Sequence, residues 1–182
     1  MPPERRSVPR MLVAYDPAWP QRFESIAAGL RALGDPDWVI EHIGSTAVPG
    51  LRAKPVIDLA IKMDDAAEFA RHRPALESAG WRAESSVRTH PVLVLSDDGT
   101  RIAIAHFFPA EEWDAANQRI LRDWLRAHRD DAALYAHAKC DAVAAAARGR
   151  SSYNAAKTEV IQDIVDRARA SLGLPSVPVS DK

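Results

Sequence analysis

At Pro109 the chain changes character, and that change limits the folds open to it. Before it, short β-branched runs alternate with two helical stretches; after it, nearly everything up to Gly173 fits helical spacing. Strands gathered early and helices gathered late specify an α+β fold, a mixed β-sheet core with an N-terminal helix and a C-terminal three-helix segment. "DPAWPQRFESIAAGLRALG" puts Phe23, Ile26, Ala27, Leu30 and Leu33 on one helical face, with Gly34 as a stop. "DWVIEHIG" and "PVIDLAIKM" read as strands bounded by turn residues. "DDAAEFARHRPALESAG" predicts a second helix that Pro74 kinks or splits. "WRAESS" and "PVLVLSDDGTRIAIAHFF" add three strands, the last two joined at the hairpin pair Asp98-Gly99. In the helical half, His128 to Asp131 and Gly149 to Ser152 separate three helices, and Ser151 or Ser152 suits the last N-cap.

A chain of 182 residues has the size of one domain. We expect that domain to span residues 1–173, with a sheet core over about 11–109 and a helical half over about 110–173, and residues 174–182 to form a flexible tail. A net charge of −1 supplies no basic field for nucleic acid. The single cysteine, Cys140, excludes a disulfide framework and reads as a small buried hydrophobe in a reducing cytoplasm. No apolar run follows the basic, Pro-rich "MPPERRSVPR" or reaches membrane-spanning length, so the expectation is a cytoplasmic protein without a membrane partner. Oligomeric state is not written in the sequence.

The window "IEHIGSTAVPGLRAKPVIDLAIKM" concentrates the chemistry. A Gly-Ser turn ending a strand lets a phosphate approach backbone N–H groups, and the serine hydroxyl adds a donor. A strand carboxylate opposite, Asp58, could hold Mg²⁺ against the same phosphate. On residue chemistry alone the favoured reading is an ordinary Gly-Ser turn and a strand-start aspartate that caps or pairs with a neighbouring lysine.

The run "IEHIGSTAVPGLRAKPVIDL" closely resembles the GrpB family motif. The resemblance continues in "YDPAWPQRFESIAAGL", "HFFP", "LRDWLRAH", "YAHAK" and "YNAAK", in order from about Val13 to about Arg167. GrpB proteins are grouped with the nucleotidyltransferase superfamily resembling DNA polymerase beta, whose pattern is a Gly-Ser turn, a loop and Asp-x-Asp/Glu on the next strand. The resemblance implies a nucleoside triphosphate bound with Mg²⁺ and a nucleotidyl group passed to a small acceptor. Gly44 and Ser45 fall on the phosphate-gripping turn and Asp58 on the first metal-binding carboxylate. The second acid position holds Ala60, which departs from the two-ion pattern. A non-catalytic nucleotide- or phosphometabolite-binding module and an accessory or scaffolding protein therefore stand beside the transferase.

Other polar residues are candidates to complete such a site. His106 interrupts the apolar run "IAIAHFF" where the superfamily places a third carboxylate, and is a catalytic candidate as ligand or base; a core histidine is the alternative. Glu41 and His42 enter the turn on alternating sides of a strand, and we assign Glu41 to the metal and His42 to the nucleotide. Lys54 could meet a phosphate from the motif loop. Arg122 and Lys157 could reach across from the helical half to anionic groups, or form helix-surface ion pairs with Asp123 and Glu159. Trp113 and Trp124 read as helix packing, Tyr153 as stacking or packing, and Arg167 and Arg169 as solvated.

Overall fold

The computed structural model describes residues 12–84, 89–148 and 153–179. Helix α1 (Trp19–Leu33) carries Pro20 in its first turn, where a missing N–H costs nothing, and buries Trp19, Phe23, Ala27 and Leu30 along one stripe. Strands β1 (Val39–Ile43) and β2 (Ile57–Met63) follow and pair antiparallel, Ile43 opposite Asp58 and Glu41 opposite Ala60. Helix α2 (Ala66–Ser78) starts at Asp65, whose carboxylate accepts from the Glu68 N–H at 2.8 Å. Strands β3 (Arg82–Ala83), β4 (Val92–Asp97) and β5 (Thr100–Pro109) complete a sheet in the order β1-β2-β5-β4-β3, in which β2 and β5 run parallel. Asp98 and Gly99 turn the β4–β5 hairpin with φ of 46° and 76°.

Residues directly opposite across a ladder share a face of the sheet. Ile40, Leu59, Ile61, Ala105, Phe107 and Leu93 therefore form one layer, and α1 and α2 cover it with Trp19, Phe23, Leu30 and Leu76. Glu41, Ile43, Asp58, Ala60, His106 and Phe108 lie on the other face. The helical half adjoins that second face, through α3 (Asn117–Ala127), α4 (Arg129–Ala147) and α5 (Tyr153–Ser171). Val48 and Leu51, from the β1–β2 loop, are buried with Leu125, Tyr135 and Ile164 of these helices. The motif loop is thus part of the joint between sheet and helices.

Several local expectations need correction. Helix α2 runs through Pro74 unbroken; Pro74 is exposed, so the carbonyl that loses its helical donor can turn to water. Only His128 separates α3 from α4, because Asp131 is drawn into the packing by the Trp124 indole N–H at 2.6 Å and by Arg167 at 2.7 Å. Arg169 is 4% exposed rather than solvated, donating to the Ala115 and Pro175 carbonyls and to Asn117. The tail over 174–179 lies along α5, where Gln162 donates to the Val177 carbonyl and accepts from the Val179 N–H. Cys140 is half-buried. The break at 149–152, with its N-cap serines, and the Tyr153 side chain lie outside the described residues.

Trp38 bridges sheet and α2: its ring packs edge-on against Phe107 and His72, and its indole N–H donates to the buried Glu68 carboxylate. The other Glu68 oxygen accepts from the Asp64 N–H at 2.6 Å. Trp38→Phe leaves that carboxylate short of a donor and the ring short of volume, and should lower stability by about 2–4 kcal/mol in urea unfolding followed by circular dichroism.

Candidate functional site

Strand β1 ends against the start of β2, and the next residue, Gly44, turns the chain with φ of +73°. A Cβ on Gly44 would stand 2.3 Å from Asp58 Oδ2, so only glycine lets the turn and the carboxylate lie together. Ser45 opens a 3₁₀ turn (Ser45–Ala47), and its buried hydroxyl oxygen accepts from Lys139 Nζ at 2.6 Å and lies 3.3 Å from the Tyr135 hydroxyl. Tyr135 and Lys139 are one turn apart on α4, and the ammonium sits 5.2 Å from the tyrosine ring centroid. The Gly-Ser turn is therefore flanked by a carboxylate on one side and an ammonium on the other. Lys54 is half-buried in the same loop, and its carbonyl accepts from the Val56 N–H at 2.8 Å.

Behind Asp58 stands a line of imidazoles. His106 Nε2 is 3.9 Å from Asp58 Oδ1, and its Nδ1 is 2.8 Å from His90 Nε2. His90 Nδ1 in turn is 2.9 Å from the Thr89 hydroxyl. His106 is 1% exposed, so it meets the site only through Asp58, whose own side chain remains 14% exposed. Ala60 pairs with Glu41 on one side and His106 on the other, and is enclosed in an apolar cluster with Ile43, Phe108, Trp113 and Ala116. The position of the second acid is thus filled with hydrocarbon.

Glu41 shares the Asp58 face but is engaged elsewhere. Arg119 grips both its oxygens at 2.9 and 3.0 Å, and Arg122 adds a contact at 2.7 Å. Burial opposes its ionisation, but those hydrogen bonds and charges outweigh it and hold the carboxyl below its usual range. The expected role of Glu41 as metal ligand therefore has to yield to an arginine clamp. What remains fits one hard cation held by Asp58 with phosphate and water oxygens, and does not fit two ions bridged by neighbouring carboxylates. Among the described residues, the group of three metal-type side chains that does converge is Asp35, Glu68 and His72, where Glu68 already serves Trp38 and Asp64.

His42 projects from β1 on the side away from Asp58 and Ala60, stacking on Phe23 with centroids 4.9 Å apart. Its Nε2 is 2.9 Å from the Thr46 hydroxyl. Arg122 donates to the His42 carbonyl at 3.0 Å and to Asp123 at 2.8 Å, while Arg126 donates to the Ala47 carbonyl at 2.8 Å. Burial first, then the Arg126 charge, lowers the His42 pKa to about 4. His42 and Arg122 thus brace the back of the turn. Lys157 is half-buried near the start of α5, and the helical-half cation bonded to the Ser45 hydroxyl is Lys139. Neither Lys139 nor His90 was assigned a role from sequence; the i, i+4 pair within "YAHAK" was the available signal for the first.

A family profile described as GrpB protein matches residues 9–167. A UPF0157 protein of Halalkalibacterium halodurans is 34% identical over 164 residues, covering 88% of this chain and 83% of that protein. One from Pseudomonas aeruginosa is 38% identical over 168 residues, covering 89% and 69% respectively. The crystal structure of GrpB from Enterococcus faecalis superposes with a TM-score of 0.71 at 23% identity, over 86% of this chain and 98% of that one, which shows a shared fold. The Cid1 poly(U) polymerase with MgGTP bound aligns at a TM-score of 0.44 and 15% identity, over 64% of this chain and 39% of that one. No helix among the described residues is long and apolar enough to cross a membrane.

The depressed His42 pKa has a consequence for stability. Below pH 6.5 an unfolded chain takes up a proton on His42 that the folded chain refuses until about pH 4, so this contribution is complete above 6.5 and is lost as pH falls towards 4. The urea midpoint should drop across that window, and His42→Gln, whose amide can still donate to Thr46, should flatten the drop.

Proposed function

The chain belongs to the GrpB family, and on that premise we propose that it binds a nucleoside triphosphate with Mg²⁺ at Gly44, Ser45, Lys139 and Asp58 and transfers the nucleotidyl group to a small acceptor. The observation carrying this reading is the glycine that keeps a carboxylate and a lysine-bound serine hydroxyl on either side of one turn. Ser45 and Lys139 would take the outer phosphates, the lysine as a point charge and the hydroxyl as a neutral donor. A cation on Asp58 would offset phosphate charge and polarise the α-phosphoryl group. In the transfer, an acceptor hydroxyl oxygen bonds to the α-phosphorus as the bond to the β-phosphate bridging oxygen breaks. Pyrophosphate departs on the Ser45 and Lys139 side, and the acceptor proton passes to Asp58. His106, held by His90, is a positioning residue that fixes the orientation of that carboxylate. Lys54 stands in the same motif loop, whereas Arg122 and His42 support the turn from behind.

One observation favours a second reading, binding without transfer. Ala60 is buried in an apolar cluster, so the second acid position offers an ion no carboxylate. Such a protein would hold a nucleotide or a phosphorylated metabolite without breaking its anhydride.

Calorimetry of ATP, GTP, CTP and UTP with Mg²⁺ decides whether the site exists. Lys139→Ala should weaken binding roughly ten- to hundredfold, the loss of one charge-assisted contact, and Asp58→Asn should remove the Mg²⁺ dependence. Unchanged binding in both variants would sink the nucleotide reading. Pyrophosphate release in the presence of candidate hydroxyl acceptors, lost in Asp58→Asn, selects transfer; tight binding with no release selects the second reading.

A further inference from the structure

A concavity lies beside the Gly-Ser segment, along β1. It is a cleft of about 470 Å³, between the start of α1, the 3₁₀ turn and α3, within the range of small-molecule sites. Phe23, Pro20 and Ile40 give it apolar lining, and His42, stacked on Phe23, and Arg126 add polar groups.

With the Thr46 hydroxyl donating to the Val56 carbonyl at 3.3 Å, its oxygen is left to accept from His42 Nε2 at 2.9 Å. We take the tautomer that this pattern favours, with the proton on Nε2 and a lone pair on Nδ1. Although His42 is only 9% exposed, Nδ1 makes no hydrogen bond among the described residues, and the ring lines the cleft. An imidazole nitrogen on the lining of a cleft can accept from a donor on whatever fills it.

Arg126 supplies the complementary group. Its Nε is committed to the Ala47 carbonyl at 2.8 Å, while its Nη nitrogens contact no carboxylate among the described residues. Neighbouring Arg122 is already saturated by Glu41, Asp123 and the His42 carbonyl, and the charge of Glu41 is absorbed by Arg119 and Arg122. Glu24 stands exposed on the lining. The cleft thus sets the Arg126 guanidinium fork and the His42 imidazole beside apolar lining, with the exposed Glu24 carboxylate and Tyr15 also on its lining.

We propose that this cleft binds a small organic acid bearing a hydroxyl next to its acid group, with the oxyanion on the Arg126 fork, the hydroxyl donating to His42 Nδ1, and the apolar body against Phe23 and Pro20. The site is separate from the nucleotide reading. Ser45 faces Lys139, whereas Thr46 and Ala47 line the cleft, and its occupancy is measured with no nucleotide present.

Three probes of one shape test the chemistry on the full chain by NMR titration: mandelate, phenylacetate without the hydroxyl, and methyl mandelate without the charge. Mandelate should bind with a Kd of about 1–10 mM, perturbing the His42 and Phe23 ring signals. Phenylacetate and methyl mandelate should each bind roughly tenfold more weakly, the loss expected for one good polar contact. Arg126→Met should cost mandelate a similar factor. His42→Phe keeps a ring stacked on Phe23, and should bring mandelate down to the affinity of phenylacetate while leaving phenylacetate unchanged. Equal binding of the three probes by the wild-type protein, no binding of mandelate at roughly tenfold above that Kd range, or perturbations confined to residues away from the cleft would overturn the proposal. Should a variant fail to fold, the wild-type comparison of the three probes still decides.

Discussion

The architecture of the site depends on a hydrogen atom where any other residue would have a carbon. Gly44 adopts a positive φ, and its Cα lies so near Asp58 that a methyl group would overlap the carboxylate. Strain and collision would then act together, and the β1–β2 register that aligns Ile43 with Asp58 would have to loosen. Because Val48 and Leu51, a few residues on, pack among the C-terminal helices, a displaced turn would also disturb the joint between the two halves. The turn is at once a chemical feature and a structural hinge point.

Arginine is the second theme. Arg119, Arg122 and Arg126 lie on α3 with spacings of three and four, so all three face β1. Arg119 and Arg122 each meet two carboxylates and a carbonyl, Arg119 lying over the Trp113 ring as well, while Arg126 donates to a single carbonyl. Burying guanidinium groups is unfavourable unless their donors are met, and the polar atoms that meet them come mainly from the β1 segment and the turn after it. That mutual need fixes how α3 sits on the sheet.

Much of the fold was readable in the residues. The hairpin at Asp98-Gly99, the alternation in β1 and β2, and the apolar stripe of α1 are local signals, and each element formed where its pattern lay. The Gly44, Ser45 and Asp58 constellation was readable for the same reason, since one turn and one strand pairing generate it. What escaped were contacts made across the molecule. Ser45 and Lys139 are 94 positions apart, and nothing near either residue announces the other. Glu41 looked like a ligand because its strand phase was right, but α3 delivers two arginines to it from 78 and 81 positions downstream, which no periodicity in β1 reveals. The tail after Gly173 looked disordered from its composition, yet Gln162 and Arg169 supply the partners its backbone lacks.

The guanidinium bonded to the His42 carbonyl has one more implication, for how the molecule meets its own copies. β1 is a border strand, and a border strand normally offers its free carbonyls and N–H groups to any passing strand. Here a side chain from α3 occupies that rim, and at the other border β3 is only two residues long. Among the described residues, one carbonyl of that rim is thus already taken and the far border strand is short, which leaves less backbone on offer to a neighbouring copy.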